Sequence, residues 1–224
     1  ALQTVQLQRL KETARRASTA PYYQQLFREH GVTVEDLQQL DDIQHLPFTT
    51  KQDLRAGYPY GFLTVPTEDV VRLHSSSGTT GQATVVFHSA RDIEDWANLM
   101  ARCMYMTGAR KSDVFQNMTG YGMFTGGLGF HYGAERLGAL TVPTGSGNSK
   151  RQIRFMKDFA ATILHAIPSY ALHLLSVFEE EGVDPKTDLC LKIVYLGAEP
   201  HSEHTRRRIE EALGVKAYNS YGLS

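Results

Sequence analysis

The stretch "LKIVYLG", residues 191–197, reads as a buried β-strand: a short apolar run stopped by a glycine. "DVFQNM" (113–118), "ALTVP" (139–143), "ATILHA" (161–166) and "VKAYNSYG" (215–222) have the same character. Helical patterns lie between them. Ser89 stands in capping position, with Asp92 three residues on, before a long helix with Ile93, Ala97, Met100 and Met104 inward and Gly108 as its stop. "GLGFHYGAERLG" (127–138) is a glycine-rich helix, and residues 150–159 form the next. Pro168 opens a helix lined by Tyr170, Leu174, Val177 and Phe178 that Gly182 ends, and a last helix runs over 202–213 with Gly214 beyond it. Strands alternating with helices predict an α/β fold with a largely parallel sheet flanked by helices.

Upstream the texture is different. Leu7, Leu10, Ala14 and Ala17 share a helical face, Pro21 bounds that helix, and "LPFTTKQDLR" (46–55) is a loop opening a short helix with Thr50 and Asp53 spaced as a capping box. "EDVVRLHSSS" (68–77) is a strand running into a loop, and "ATVVFH" (83–88) is a second strand. The expected division is a helical N-terminal segment over 1–65 and an α/β region over 66–224.

Charge and composition narrow the function classes. Lys and Arg number 23 against 24 Asp and Glu, a formal net charge of −1, so nothing favours nucleic acid as a partner. The run Arg206–Arg208 reads as a solvated helix face. Cys103 and Cys190 read as two buried free thiols of a reducing compartment. No apolar run is long enough to span a bilayer, and residues 1–17 lack a signal-peptide core; a soluble, cytoplasmic protein with no membrane partner is expected.

Three loops and one glycine-rich stretch carry the candidate chemistry. "SSSGTTG" (75–81) offers five hydroxyls, and Gly78 and Gly81 allow successive N–H groups to turn inward as an anion-binding nest. Its place between two strands excludes a Walker A loop, which needs a following helix and a lysine. A flexible hairpin turn is the competing reading. "GAEP" (197–200) and "NSYGLS" (219–224) both follow strands and would open at one carboxyl edge of a parallel sheet. Gly197 and Gly222 permit close approach of a flat ligand, Asn219 offers an amide to a base edge, and Tyr221 offers a stacking face. In "NMTGYGMFTGGLGFHYGAERLG" (117–138) the glycines either clear a cavity lined by Tyr121, Met123, Phe124, Phe130 and Tyr132 or allow tight helix packing. His131 reads as a structural or rim residue rather than a base.

Taken in order and spacing, "LPFTTKQDLR", "SSSGTTGQATVV", "GYGMFTGGLGFHYGAERLGA", "YLGAEP" and "YNSYGLS" resemble the phenylacetate–coenzyme A ligase family of the adenylate-forming superfamily. "SSSGTTG" is shared across that superfamily, whereas "FTGGLG", "HYGAERLG" and "GAEP" point to its aryl-acetate branch. The resemblance implies ATP-dependent activation of an aryl-acetic acid, phenylacetate or a close analogue, to an acyl-adenylate. Transfer to coenzyme A follows, with Mg2+ and AMP release. It implies that Ser76, Ser77, Gly78, Thr79, Thr80 and Gly81 grip phosphates, with Thr80 and Ser224 positioning them for catalysis. It also implies that Gly197, Ala198, Glu199 and Pro200 wall the adenine. Asn219, Ser220, Tyr221 and Gly222 complete the nucleotide site. Tyr121, Phe124 and Gly126 border the acyl pocket, with Ala198 near its floor.

Gln82, Ala83 and His201 depart from the family pattern; lysine and proline are frequent at the first two positions and tryptophan at the third. The family's magnesium-binding glutamate, ribose-binding aspartate and lid lysine fall beyond Ser224. The chain therefore reads as an N-terminal portion, without a metal ligand of its own and inactive alone. A homodimer is compatible with this reading. A nucleotide-binding module without catalysis, or an adenylating enzyme for a different aromatic acid, is the alternative.

Overall fold

The computed structural model describes residues 1–76 and 82–222. Two compact units divide the chain after Ala90. In the first, α1 (Leu2–Ala17) buries Ala14 against Val34 and Leu37, with Leu10 and Leu46 beside them. Pro21 stands at the first position of a second helix, α2 (Pro21–His30), where its missing N–H is no loss. Tyr22 and Tyr23 of α2 pack on Phe62, at ring-centroid distances of 4.5 and 5.5 Å. The helix α3 (Lys51–Ala56) starts on the expected capping box of Thr50 and Asp53. The two strands read from the sequence, β1 (Val70–Ser75) and β2 (Val85–Ser89), form an antiparallel pair of their own. The hairpin thus lies in the same unit as the helical segment.

The second unit holds a five-stranded parallel sheet. Its strands are β3 (Val114–Asn117), β4 (Leu140–Val142), β5 (Ile163–Ala166), β6 (Ile193–Gly197) and β7 (Lys216–Ser220), in the spatial order β4-β3-β5-β6-β7. Every residue of β5 and β6 is buried, which is why these strands read as continuous apolar runs rather than alternating ones. Phe115, Ile163, Ile193 and Tyr195 pack with Met104 of α4 (Ala90–Met106) and with Phe130 and Ala134 of α5 (Thr125–Leu137). Leu164, Val194, Leu196 and Ala217 pack instead with α6 (Ser149–Asp158), α7 (Pro168–Glu180) and α8 (Glu203–Leu213). The sheet is sandwiched between these two sets of helices. The amino edge is pinned by Asp113, whose carboxylate accepts bonds from Arg110 N (2.7 Å), Thr162 Oγ1 (2.9 Å) and Lys192 Nζ (3.3 Å).

Two expectations are corrected here. Cys103 and Cys190 are exposed rather than buried: Cys103 lies on the outer side of α4, and Cys190 precedes β6. The basic run is not uniformly solvated. Arg207 is exposed, whereas Arg206 turns inward and its Nη1 bonds Glu210 at 2.6 Å. Glu210 accepts the outward N–H of Ala217 at 2.8 Å, so the pair dresses the free edge of β7. No helix among the described residues is long and apolar enough to cross a membrane.

Candidate functional site at the carboxyl edge of the sheet

Strand β3 is the first of the sheet, β4 lies on one side of it and β5 on the other. The order therefore reverses between β3 and β5, and in open parallel sheets that crevice is where ligands bind. Two polar residues in register meet there, Asn117 and His165. Asn117 Nδ2 donates to Gly127 O at 2.8 Å, while its Oδ1 accepts from Thr119 Oγ1 at 2.9 Å and from His165 Nδ1 at 3.0 Å. The proton of His165 consequently sits on Nδ1. Burial holds this imidazole neutral, its pKa pushed down to about 3. The Asn117 carbonyl accepts from Gly145 N (3.1 Å) and Thr144 Oγ1 (2.9 Å), so one side chain and its backbone tie β3 to β5, to α5 and to the loop after β4.

The glycines of residues 117–138 divide between the two readings left open by the sequence. A Cβ on Gly127 would strike the carbonyl of Gly120; one on Gly129 would lie 2.6 Å from the Trp96 indole, and one on Gly133 2.6 Å from Met100 Cβ. These three serve close packing of α5. Gly120 and Gly122 face open space, and a Cβ on Gly126 would meet only His165 Cε1, at 4.0 Å. These three leave room beside the exposed rings and chains of Phe124 and Met123. Tyr121 borders the same stretch half-buried. Its hydroxyl lies 3.2 Å from His131 Nδ1, and His131 Nε2 lies 3.1 Å from Glu135 Oε1. Burial first, and the charge of Glu135 after it, push the Tyr121 hydroxyl up to about 12, so it stays protonated as a donor. His131 thus links the Tyr121 hydroxyl to Glu135.

The loops after β6 and β7 are neighbours, because Gly197 pairs with Ser220 in the ladder. Gly197 has a packing reason for lacking a side chain: a Cβ there would strike Ser220 Oγ, which itself bonds Leu196 O at 3.2 Å. Ala198 follows in the left-handed region at φ 68°, a conformation that L-residues hold only where their surroundings impose it. Glu199 is fastened to the start of α7, its carboxylate accepting from Ser169 N (3.0 Å) and Ser169 Oγ (2.8 Å). It therefore caps a helix that begins elsewhere in the chain. Asn219 and Pro200 are exposed, Tyr221 is 87% exposed, and Gly222 faces open space.

In the first unit, the turn after β1 is described only at its stem. Ser76 N donates to Thr84 O at 3.0 Å, and Ser76 Oγ accepts from Thr84 N (3.0 Å) and bonds Thr84 Oγ1 (3.1 Å). The Ser76 hydroxyl is thus engaged in closing the turn. Ser77, Gly78, Thr79, Thr80, Gly81 and Ser224 lie outside the described residues. Reading the sequence missed Asn117, His165 and the anchoring role of Glu199. A polar residue at the end of each of two neighbouring strands was the available signal for the first two.

Residues 8–224 match the family model described as AMP-binding enzyme. The chain is 47% identical over 225 residues to a phenylacetate-coenzyme A ligase of Pseudomonas putida and 43% identical over 224 residues to one of Escherichia coli (strain K12). All of this chain is covered in both comparisons, but only 51% of each relative, so it spans about half the length of the curated relatives it matches. Among solved structures, an open conformation of 2-hydroxyisobutyryl-CoA ligase in complex with 2-HIB-AMP and CoA superposes with a TM-score of 0.91. It is 29% identical, over 99% of this chain and 50% of that one.

Proposed function

The chain belongs to the AMP-binding enzyme family, and from that premise we propose that it carries nucleotide- and acid-binding machinery of an AMP-forming aryl-acetate–coenzyme A ligase. In this reading an acid carboxylate attacks the α-phosphorus of ATP, the bond to the bridging oxygen breaks, and pyrophosphate leaves. The thiol of coenzyme A then attacks the acyl carbon of the adenylate, loses its proton to solvent, and displaces AMP. Such chemistry asks the protein chiefly for position and charge.

The observation that carries the proposal is the exposed pair Asn219 and Tyr221 beside the constrained Ala198 turn, on adjoining strand ends of a parallel sheet. Tyr221 stacks on the adenine, Asn219 bonds its edge, and residues 197–200 wall it, with Ser220 and Gly222 completing the slot. Glu199 acts here through position, since its carboxylate is held by Ser169. The open ground at Gly120, Gly122 and Gly126, with Phe124 and the Tyr121 hydroxyl at its border, takes the flat acyl group. Residues 76–81 hold phosphate, with Thr80 and Ser224 positioning it. Mg2+ enters this reading as the companion of ATP; among the described residues no group of three or more His, Cys, Asp and Glu side chains gathers. The same reading makes the protein a cytoplasmic, phenylacetate-catabolic enzyme able to pair as a homodimer.

Acid-dependent exchange of pyrophosphate into ATP, run on the protein at its natural length with a panel of acids, tests the proposal. Exchange with aryl-acetic acids is expected. Exchange with unbranched fatty acids alone would remove Tyr121 and Phe124 from the acyl pocket; exchange with no acid would remove the ligase reading.

A further inference from the structure

One nitrogen of His165 is left without a partner. The residue stands at the crevice between β3 and β5 and is only 3% exposed. Phe130 packs on its ring at a centroid distance of 4.0 Å, with Phe115 at 6.5 Å, so the polar business of the ring is confined to its edge. Nδ1 gives its proton to Asn117 Oδ1 at 3.0 Å, and the amide is oriented for this because Asn117 Nδ2 donates to Gly127 O. Nε2 is therefore a bare acceptor. It bonds nothing among the described residues, yet it is not sealed from solvent as the unpartnered Gln116 Oε1 and Thr141 Oγ1 are. The open ground at Gly126 adjoins the same ring edge. A Cβ there would find, outside its own helix, only His165 Cε1, the carbon bonded to both ring nitrogens, at 4.0 Å.

We propose that His165 Nε2 is a hydrogen-bond acceptor for the acid and selects one whose aryl group carries a neutral O–H or N–H donor. This rests on the ligase reading above and assigns its substrate class. The carboxylate of the acid cannot meet Nε2, since it has no proton to give. The donor must come from the ring system, and a phenol hydroxyl or an indole N–H supplies it. The Tyr121 hydroxyl is engaged elsewhere, against His131 Nδ1. Burial keeps the imidazole neutral, so Nε2 stays an acceptor at neutral pH. An acid without a donor would cover this nitrogen and leave it unsatisfied, which is costly. A site of this kind separates a hydroxylated substrate from its bare analogue more sharply than an apolar pocket separates one methylene.

Pyrophosphate exchange is measured on the protein at natural length with phenylacetate, ring-hydroxylated phenylacetates, indoleacetate, and apolar counterparts of similar size (ring-methylated phenylacetates and naphthylacetate). At least one donor acid should surpass both phenylacetate and its own apolar counterpart in kcat/KM by about tenfold or more. His165→Met should shrink that advantage to about twofold or less while exchange with phenylacetate persists. A second readout needs no variant to fold. With histidine labelled at its ring nitrogens, the Nε2 resonance of His165 should move far more with the preferred acid than with its counterpart. A smaller advantage in the wild type, an advantage that folded His165→Met keeps, or a resonance that both acids move alike would each overturn the proposal. With exchange intact, any of these leaves the ligase reading standing. Calorimetric binding of a donor acid that moves the Nε2 resonance, with no acid supporting exchange, would keep the contact and remove the ligase reading. A protein that neither binds these acids nor exchanges pyrophosphate with them would overturn both.

Discussion

The stem of the turn on the two-stranded sheet and the loops on the five-stranded sheet are held by different physics. β1 and β2 are half-exposed along most of their length, and the turn between them is closed by side chains: Ser76 to Thr84, and Arg55 to Gln82. β6 is buried throughout, so the loop after it inherits its position from the core. Where a core sets position, polar and aromatic side chains are left for other work, and Tyr221 is 87% exposed. Where it does not, hydroxyls and a guanidinium become the scaffold, and the groups suited to a ligand are partly committed to holding their own turn.

Truncation of buried and half-exposed strand residues should separate the two regions most widely. Leu196, fully buried in β6, should lose about 3–4 kcal/mol of stability as Leu196→Ala. Val86, 37% exposed in β2, should lose no more than about 1 kcal/mol as Val86→Ala. Chemical denaturation reads both, and equal losses would break the contrast. A second, smaller effect depends on pH. His165 stays neutral in the folded protein down to about 3, whereas an unfolded chain protonates it near 6.5, so acid favours the unfolded state throughout that window. Stability should fall as pH drops below about 6.5, by about 2–3 kcal/mol at pH ~4.5 on this account alone. His165→Gln, which can still donate toward Asn117, should flatten that part of the profile; an unchanged profile would mean that burial of His165 does not govern it.

Much of the architecture was legible because local signals and the core agree. The apolar run 191–197, the proline at 168 and the glycines at 108, 182 and 214 are each sufficient to set an element or its end. The turn that follows Ser75 was correctly placed between two strands for the same reason. What was hidden depends on neighbours distant in sequence. The packing demand on Gly197 was invisible: a Cβ there would strike Ser220 Oγ across the ladder. The tie of Glu199 was equally invisible: its carboxylate is held at a helix that begins 31 residues upstream, at Pro168. The Asn117–His165 pair gave no periodic signal, since the polar residues of β3 (Gln116, Asn117) and of β5 (His165) lie near strand ends without alternation. Cys103 was misread because a helix of mixed faces places a thiol outward as readily as inward.

The smallest expected effect bears on how the core-anchored loops are tuned. Ala198 holds φ at 68° without being glycine, a state that costs an L-residue roughly 1–2 kcal/mol. Ala198→Gly relieves that strain, but glycine loses more freedom on folding, so the two terms offset to a net change below about 1 kcal/mol. Stability is therefore a poor reporter of what Ala198 does, and nucleotide affinity is the better one. Alanine in this state excludes most of the backbone conformations open to glycine, so it holds the turn beside Asn219 and Tyr221 in one arrangement. Ala198→Gly should weaken ATP binding a few-fold while leaving the denaturation midpoint almost unmoved. Unchanged affinity would show that the ladder pairing of Gly197 with Ser220 is enough to hold the turn, and that the core alone sets the geometry of this edge.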